Sequence, residues 1–95
     1  MAAYLIADVD VVDHALFEEY RAAVPATIAA YGGKYIVRGG KTEVGEGIWQ
    51  PKRMIVLEFE NMERLKAWYN SKEYAPLMAM RIKAARTNAV MLEGV

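Results

Sequence analysis

Two stretches of this chain are apolar at odd and even positions alike, and nothing else in it restricts the fold so strongly. In Ala3 to Val9, Leu5, Ala7 and Val9 share one parity while Tyr4 and Ile6 share the other. In Arg53 to Phe59, Ile55, Leu57 and Phe59 alternate with Met54 and Val56. Successive side chains of a strand point to opposite faces, so both segments read as strands covered on two sides. Strands with one wet face are thereby excluded at both places.

Helical spacing fills the gaps between strands. Asp13 can cap a helix in which Leu16, Phe17, Tyr20, Val24, Ile28 and Tyr31 recur every three or four residues, and Gly32 and Gly33 can end it. Pro25 lies inside it and predicts a kink or break, because it removes one backbone hydrogen bond and crowds the carbonyl of Arg21. Lys34 to Arg38 is a short strand, joined to Arg53–Phe59 by a segment punctuated by Gly39, Gly40, Gly45 and Gly47 that suits a bulged, extended hairpin. A turn centred on Glu46 would set Lys34 opposite Glu58 and Arg38 opposite Met54. Asn61 can cap a second helix carrying Leu65, Trp68 and Tyr69. Ser71 looks like a second cap that restarts it, with Pro76 in the first new turn and Leu77, Met78, Ile82 and Ala85 continuing the buried face. Ala89 to Leu92 is a last short strand.

The order β-α-β-β-α-β defines an α+β, ferredoxin-like fold: a four-stranded antiparallel sheet with both helices on one face, in one domain spanning residues 1–95. Two helices cover only one face. With 55% apolar residues and no third helix, a second copy of the chain is the economical cover for the other face, so a homodimer through the open sheet face is expected.

Charge and composition then remove whole classes of function. Twelve basic against twelve acidic residues leave no net charge, which excludes the basic footprint needed for nucleic acid or an anionic membrane. With no cysteine and His14 as the single histidine, no disulfide, thiolate zinc site, iron-sulfur cluster or multi-histidine metal site can form. No metal and no cofactor are expected. Asp8 and Asp10 interrupt the N-terminal apolar run before it reaches signal-peptide or membrane-span length, and a soluble cytoplasmic protein is the expectation.

A set of short motifs in fixed order adds a resemblance. They are Arg38-Gly39-Gly40, Glu46-Gly47-x-Trp49-x-Pro51, Glu58-Phe59, Trp68-Tyr69-x-Ser71-x-x-Tyr74, Arg81 and Glu93-Gly94. Together they span almost the whole chain, which resembles the DUF1330 family. The resemblance implies a dimeric α/β-barrel, in a superfamily that also holds cofactor-free quinone-forming monooxygenases, muconolactone isomerases and heme-handling proteins. It implies no activity, since one fold hosts many chemistries.

Candidate functional residues each have a competing structural role. Arg38, followed by Gly39 and Gly40, can hold a carboxylate or enolate oxygen, or simply end a strand beside a β-bulge. Glu58, among apolar neighbours, is a proton shuttle if burial raises its pKa, or a structural carboxylate if it pairs with Lys34. Asp8 poses the same question. His14 is of the residue type suited to general-base work near neutrality, yet a place in a helix first turn usually points the imidazole to solvent. Ser71 is better explained as a cap than as a nucleophile. Trp49, Trp68, Tyr69 and Tyr74 can line a pocket for a flat ligand or pack the core, and Trp49, in a glycine-rich loop, points to a ligand or a partner subunit. Arg81 can orient an anion or complement a helix C-terminus. Two functions follow: a small-molecule site in the sheet-helix cleft for an anionic or aromatic metabolite, with cofactor-free proton transfer of isomerase or monooxygenase type, or a non-enzymatic ligand-binding or protein-interaction module.

Overall fold

The computed structural model of residues 1–95 contains β1 (Ala3–Val11), α1 (His14–Ala30), β2 (Lys34–Arg38), β3 (Met54–Phe59), α2 (Met62–Tyr69), α3 (Ala75–Ala84) and β4 (Ala85–Glu93). The strands form one antiparallel sheet in the order β2-β3-β1-β4. This is the ferredoxin-like arrangement expected from the sequence. No helix is long and apolar enough to cross a membrane.

Local chemistry explains the boundaries. Asp13 accepts the Leu16 N–H at 3.1 Å and Asn61 accepts the Arg64 N–H at 2.8 Å, so both expected N-caps are in place. Beyond α1, Gly32 adopts φ +78°. A Cβ on the neighbouring Gly33 would lie 2.5 Å from the Phe59 ring, which is why the chain turns there without a side chain. The second helical region is two helices. The Ser71 hydroxyl donates to the Trp68 carbonyl at 2.7 Å and accepts the Tyr74 N–H at 3.1 Å, tying the turn between them, while the N-cap of α3 is Tyr74, without a side-chain cap bond, rather than the expected Ser71; Pro76 lies near the start of the new helix.

Four local expectations are corrected. α1 continues through Pro25 without a break, since Val24 and Ile28 on either side of it are both buried in the core. β4 is nine residues long, because it pairs with β1 along its whole length from Ala85 opposite Val11 to Glu93 opposite Ala3. Ala85 therefore belongs to the strand, and Ile82 is exposed. Lys34 does face Glu58, but the register shifts between Tyr35 and Val37 and sets Arg38 opposite Ile55 rather than Met54. A bulged residue reverses the facing of everything beyond it. Arg38 thereby moves from the open side of the sheet to the helix side.

The two sheet faces differ in kind. Towards the helices, Ala3, Leu5, Ala7, Val9, Leu57 and Phe59 are all buried. On the other side, Val37, Val56, Ile6 and Val90 stand in one register row across all four strands, with no element of the chain above them. Val90 remains 59% exposed. The row is flanked by Lys34, Glu58 and Tyr4 on one side and by Asp8 and Asn88 on the other.

Candidate functional site

Between helices and sheet, the core divides into two clusters. One gathers Leu5, Val24, Ile28, Leu57, Phe59, Leu65, Trp68 and Tyr74. The other gathers Ala7, Val9, Phe17, Ala84 and Ala85. Tyr20 and Ile55 touch both. The clusters flank a narrow cleft with about 630 Å³ of empty space when its open mouth and the solvent there are included.

Its lining is apolar and aromatic apart from Thr87 and four arginines: Arg21 from α1, Arg38 from β2, Arg53 just before β3, and Arg81 from α3. No acidic side chain, lysine or histidine joins them. Arg21 has an exposed ion pair with Glu18 at 3.4 Å, whereas Arg38, Arg53 and Arg81 have no carboxylate within pairing distance. Arg38 instead lies over the Tyr35 ring, 4.5 Å from its centroid, a cation–π contact that the β2 bulge makes possible. Arg81 donates through Nε to the Tyr74 hydroxyl at 3.2 Å, and the Tyr74 and Tyr20 hydroxyls are 2.9 Å apart. Trp68 stacks on Tyr74 with centroids 4.2 Å apart and donates its indole N–H to Thr27.

The Tyr20 and Tyr35 hydroxyls stay protonated. Burial, reinforced by the neighbouring Tyr74 hydroxyl, pushes the Tyr20 phenol well above its ordinary range. Burial also raises Tyr35, against the opposing pull of the Arg38 and Arg53 charges. The cleft therefore offers cationic and neutral donors and no side chain that accepts a proton at neutral pH. Such a lining can hold an oxyanion and can stabilise negative charge developing on an oxygen atom.

Among the residues singled out from the sequence, the fold brings Arg38, Trp68, Tyr69, Tyr74 and Arg81 to the cleft. Gly39 supports it indirectly, since a Cβ there would lie 2.5 Å from Nη1 of Arg53, and its φ is +69°. Gly40 is exposed with open space around it. Trp49 lies on the opposite side of the sheet, where it donates its indole N–H to Asp8 at 3.0 Å, while the Lys52 N–H occupies the other Asp8 oxygen at 2.9 Å. Asp8 is thus an anchor for the glycine-rich segment. His14 is exposed at the start of α1, outside the cleft.

Glu58 also faces the open side. It accepts from Lys34 at 3.2 Å and from the Tyr4 hydroxyl at 3.0 Å, and these two, Lys34 first, hold its carboxyl below its ordinary value. A depressed carboxyl contributes stability at pH above its unfolded value and loses it as pH falls through the folded one. Lys34→Met is accordingly expected to raise the Glu58 titration midpoint, read by carboxyl-carbon NMR. An unchanged midpoint would remove the ion pair from the account.

Arg21, Arg53, Tyr20, Tyr35 and Thr87 were not marked by any motif. Tyr20 was visible only as one position of the apolar stripe of α1. Arg53 carried one faint signal, its shared parity with Ile55 and Leu57, which puts a charge on a face otherwise apolar.

The fold has many solved counterparts at low sequence identity, and likeness at this level concerns the fold alone. A dimeric ferredoxin-like protein of unknown function from Jannaschia sp. CCS1 is 13% identical, with coverage of 99% of this chain and 100% of its own and a TM-score of 0.73. RPA0582, a protein of unknown function from Rhodopseudomonas palustris, is 12% identical over 99% of this chain and 82% of its own, with a TM-score of 0.73. SnoaB, a cofactor-independent oxygenase from Streptomyces nogalater, is 11% identical over 99% and 93%, with a TM-score of 0.68. The architecture is thus that of the ferredoxin-like proteins. Within that class, residues 2–95 match the domain of unknown function DUF1330, and the chain belongs to that family. No curated protein matches it.

Proposed function

We propose that the protein is a homodimer, joined through its open sheet face, in which each helix-side cleft binds a small organic anion with a flat apolar body. The observation that carries this is the charge of the cleft: Arg38, Arg53 and Arg81 enter an apolar space with no carboxylate to balance them. Arg38 is exposed at the cleft mouth, whereas Arg53 and Arg81 are partly buried; a guanidinium partly removed from water without a counter-charge is costly, and an anionic ligand supplies the counter-charge. The aromatic lining of Tyr35, Trp68, Tyr69 and Tyr74 suits a planar body. The dimer is supported by the apolar row Val37-Val56-Ile6-Val90 and by the dimeric state named for the Jannaschia neighbour.

Binding is favoured over catalysis because Glu58 and His14, the two candidate proton carriers, both lie away from the cleft. Cofactor-free chemistry of the kind named for SnoaB would have to rely on the acidity of the ligand itself, with the arginines stabilising an enolate or phenolate oxygen. Isothermal titration of benzoate and 2-naphthoate against their carboxamides tests the binding. The carboxylates are expected to bind about tenfold or more tightly than the amides, the size of a charge-assisted hydrogen bond. The joint substitution Arg38→Gln and Arg81→Gln should weaken the carboxylates selectively. Amides that bind as well as carboxylates would refute the anion site.

A further inference from the structure

Three polar side chains of the cleft are joined in one line. Tyr20 of α1, Tyr74 just ahead of α3 and Arg81 of α3 all belong to its lining. Arg81 donates from Nε to the Tyr74 oxygen at 3.2 Å, and the two phenol oxygens lie 2.9 Å apart, close enough for one hydroxyl to donate to the other. Neither hydroxyl has another hydrogen-bond partner in the chain. Nε carries a hydrogen, and so does each hydroxyl, yet the line contains only the Arg81–Tyr74 and Tyr74–Tyr20 bonds. Whichever way the phenol–phenol bond runs, one hydroxyl hydrogen is left without an acceptor from the protein.

The charge of Arg81 decides which hydrogen that is. A hydroxyl that accepts from a guanidinium becomes a poorer acceptor and a stronger donor, because the bond received on its oxygen polarises its own O–H. Tyr74 therefore donates to Tyr20, and the hydrogen left over belongs to Tyr20. Tyr74 is 2% exposed and stacked on Trp68, which fixes its hydroxyl in place. Tyr20 is only partly buried and touches both core clusters that flank the cleft. An ammonium group would bring more hydrogens to a point that already has one too many, whereas an anionic oxygen accepts it.

Resting on the cleft's being an organic-anion site, we infer that Tyr20 receives the ligand's anionic oxygen, that of a carboxylate or of an acidic phenol, by donating its hydroxyl hydrogen to it. Tyr20 is then the residue that selects an oxygen acceptor. Tyr74 is a positioning residue that acts through Tyr20, and Arg81 polarises the line from its far end.

Calorimetric titration of the intact protein with 2-naphthoate and with 4-nitrophenol, each set against a neutral counterpart, 2-naphthamide and 4-nitroanisole, tests this. Tyr20→Phe keeps the ring and removes the hydroxyl. It is expected to raise the Kd of the anionic probe about tenfold, the loss of one hydrogen bond to a charged group, and to change the neutral counterpart far less. Tyr74→Phe should weaken the same probe, and adding it to Tyr20→Phe should cost little more, because the line ends at Tyr20. Absorbance reads the ionisation of bound 4-nitrophenol, whose proton passes to the buffer. If the ligand is a phenol, the parent protein should lower the probe's titration midpoint by about one unit, tenfold in favour of the anion, and Tyr20→Phe should abolish most of that shift. The probe that shows the selective loss tells a carboxylate from a phenol. Full affinity for both anions in Tyr20→Phe, with loss in the joint Arg38→Gln and Arg81→Gln variant, would place the oxygen on the guanidinium groups and overturn the inference while the anion site stands. Equal losses for each anion and its neutral counterpart would reduce Tyr20 to a wall of the cleft and also overturn it. Failure of both anions to bind the parent protein more tightly than their neutral counterparts would overturn the anion site and this inference together.

Discussion

Ile6→Lys is expected to disrupt the proposed sheet-to-sheet dimer and leave a monomer that is largely unfolded at micromolar concentration. Ile6 lies on the central strand pair of the sheet, in register with Val56 on β3 and Val90 on β4, within the row that no helix covers. Apolar surface is worth about 25 cal/mol per Å² when removed from water, so a sheet face of several hundred Å² contributes several kcal/mol to the assembled state. That is comparable to the whole stability of a small domain, roughly 5–15 kcal/mol. Two-fold pairing would place a lysine from each copy in the same apolar contact, where desolvation and like-charge repulsion both oppose assembly. Sedimentation equilibrium of the parent protein should give twice 10.7 kDa, with a melting temperature that rises with concentration. Ala26→Lys, on the exposed side of α1, should leave both properties unchanged. A folded parent monomer at micromolar concentration, or a dimer that tolerates lysine at position 6, would exclude the sheet-to-sheet interface.

Trp68→Ala should destabilise the protein by about 3–5 kcal/mol, as expected for deleting a large buried aromatic side chain. Trp68 is 1% exposed, with Phe59 and Tyr74 rings at centroid distances of 5.6 and 4.2 Å, and its indole N–H reaches Thr27 at 3.0 Å. Thr27 in turn donates to the Val24 carbonyl at 2.8 Å, so the indole ties α2 to α1 as well as filling space between helices and sheet. Removing it opens the core and loosens one wall of the cleft. Trp68→Phe keeps most of the ring contact and should cost far less. Urea unfolding followed by far-ultraviolet circular dichroism would measure both. A loss below about 1 kcal/mol for Trp68→Ala, the scale of an ordinary surface change, would show that the cluster repacks around the gap.

Much of the fold was legible in the sequence because it depends on local rules. Parity in β1 and β3, the spacing of Phe17, Val24 and Ile28, and the Asp13 and Asn61 caps all follow from interactions within a few residues along the chain. The uncovered face could be reasoned from the count of helices against apolar strand faces. Trp68 and Tyr74 were visible as large aromatics, though their stacking required both helices to be placed.

The candidate site was decided by tertiary structure, for two physical reasons. First, facing in a strand has period two, so a single bulged residue in β2 reversed the outlook of Arg38 and brought it over Tyr35 on the cleft side. Second, the charges that define the cleft come from α1, β2, the approach to β3, and α3, and no spacing along the chain connects Arg21, Arg38, Arg53 and Arg81. Gly39 shows the division most clearly. Its sequence, beside Arg38 and Gly40, pointed to backbone exposed for an anion, whereas its lack of a side chain makes room for the guanidinium of Arg53, fourteen positions further on. Sequence by itself determined the elements, their order and the shortage of helices to cover both sheet faces. Long-range packing determined which charges meet in one apolar space and which, like Glu58 with Lys34, are neutralised on the other side of the sheet.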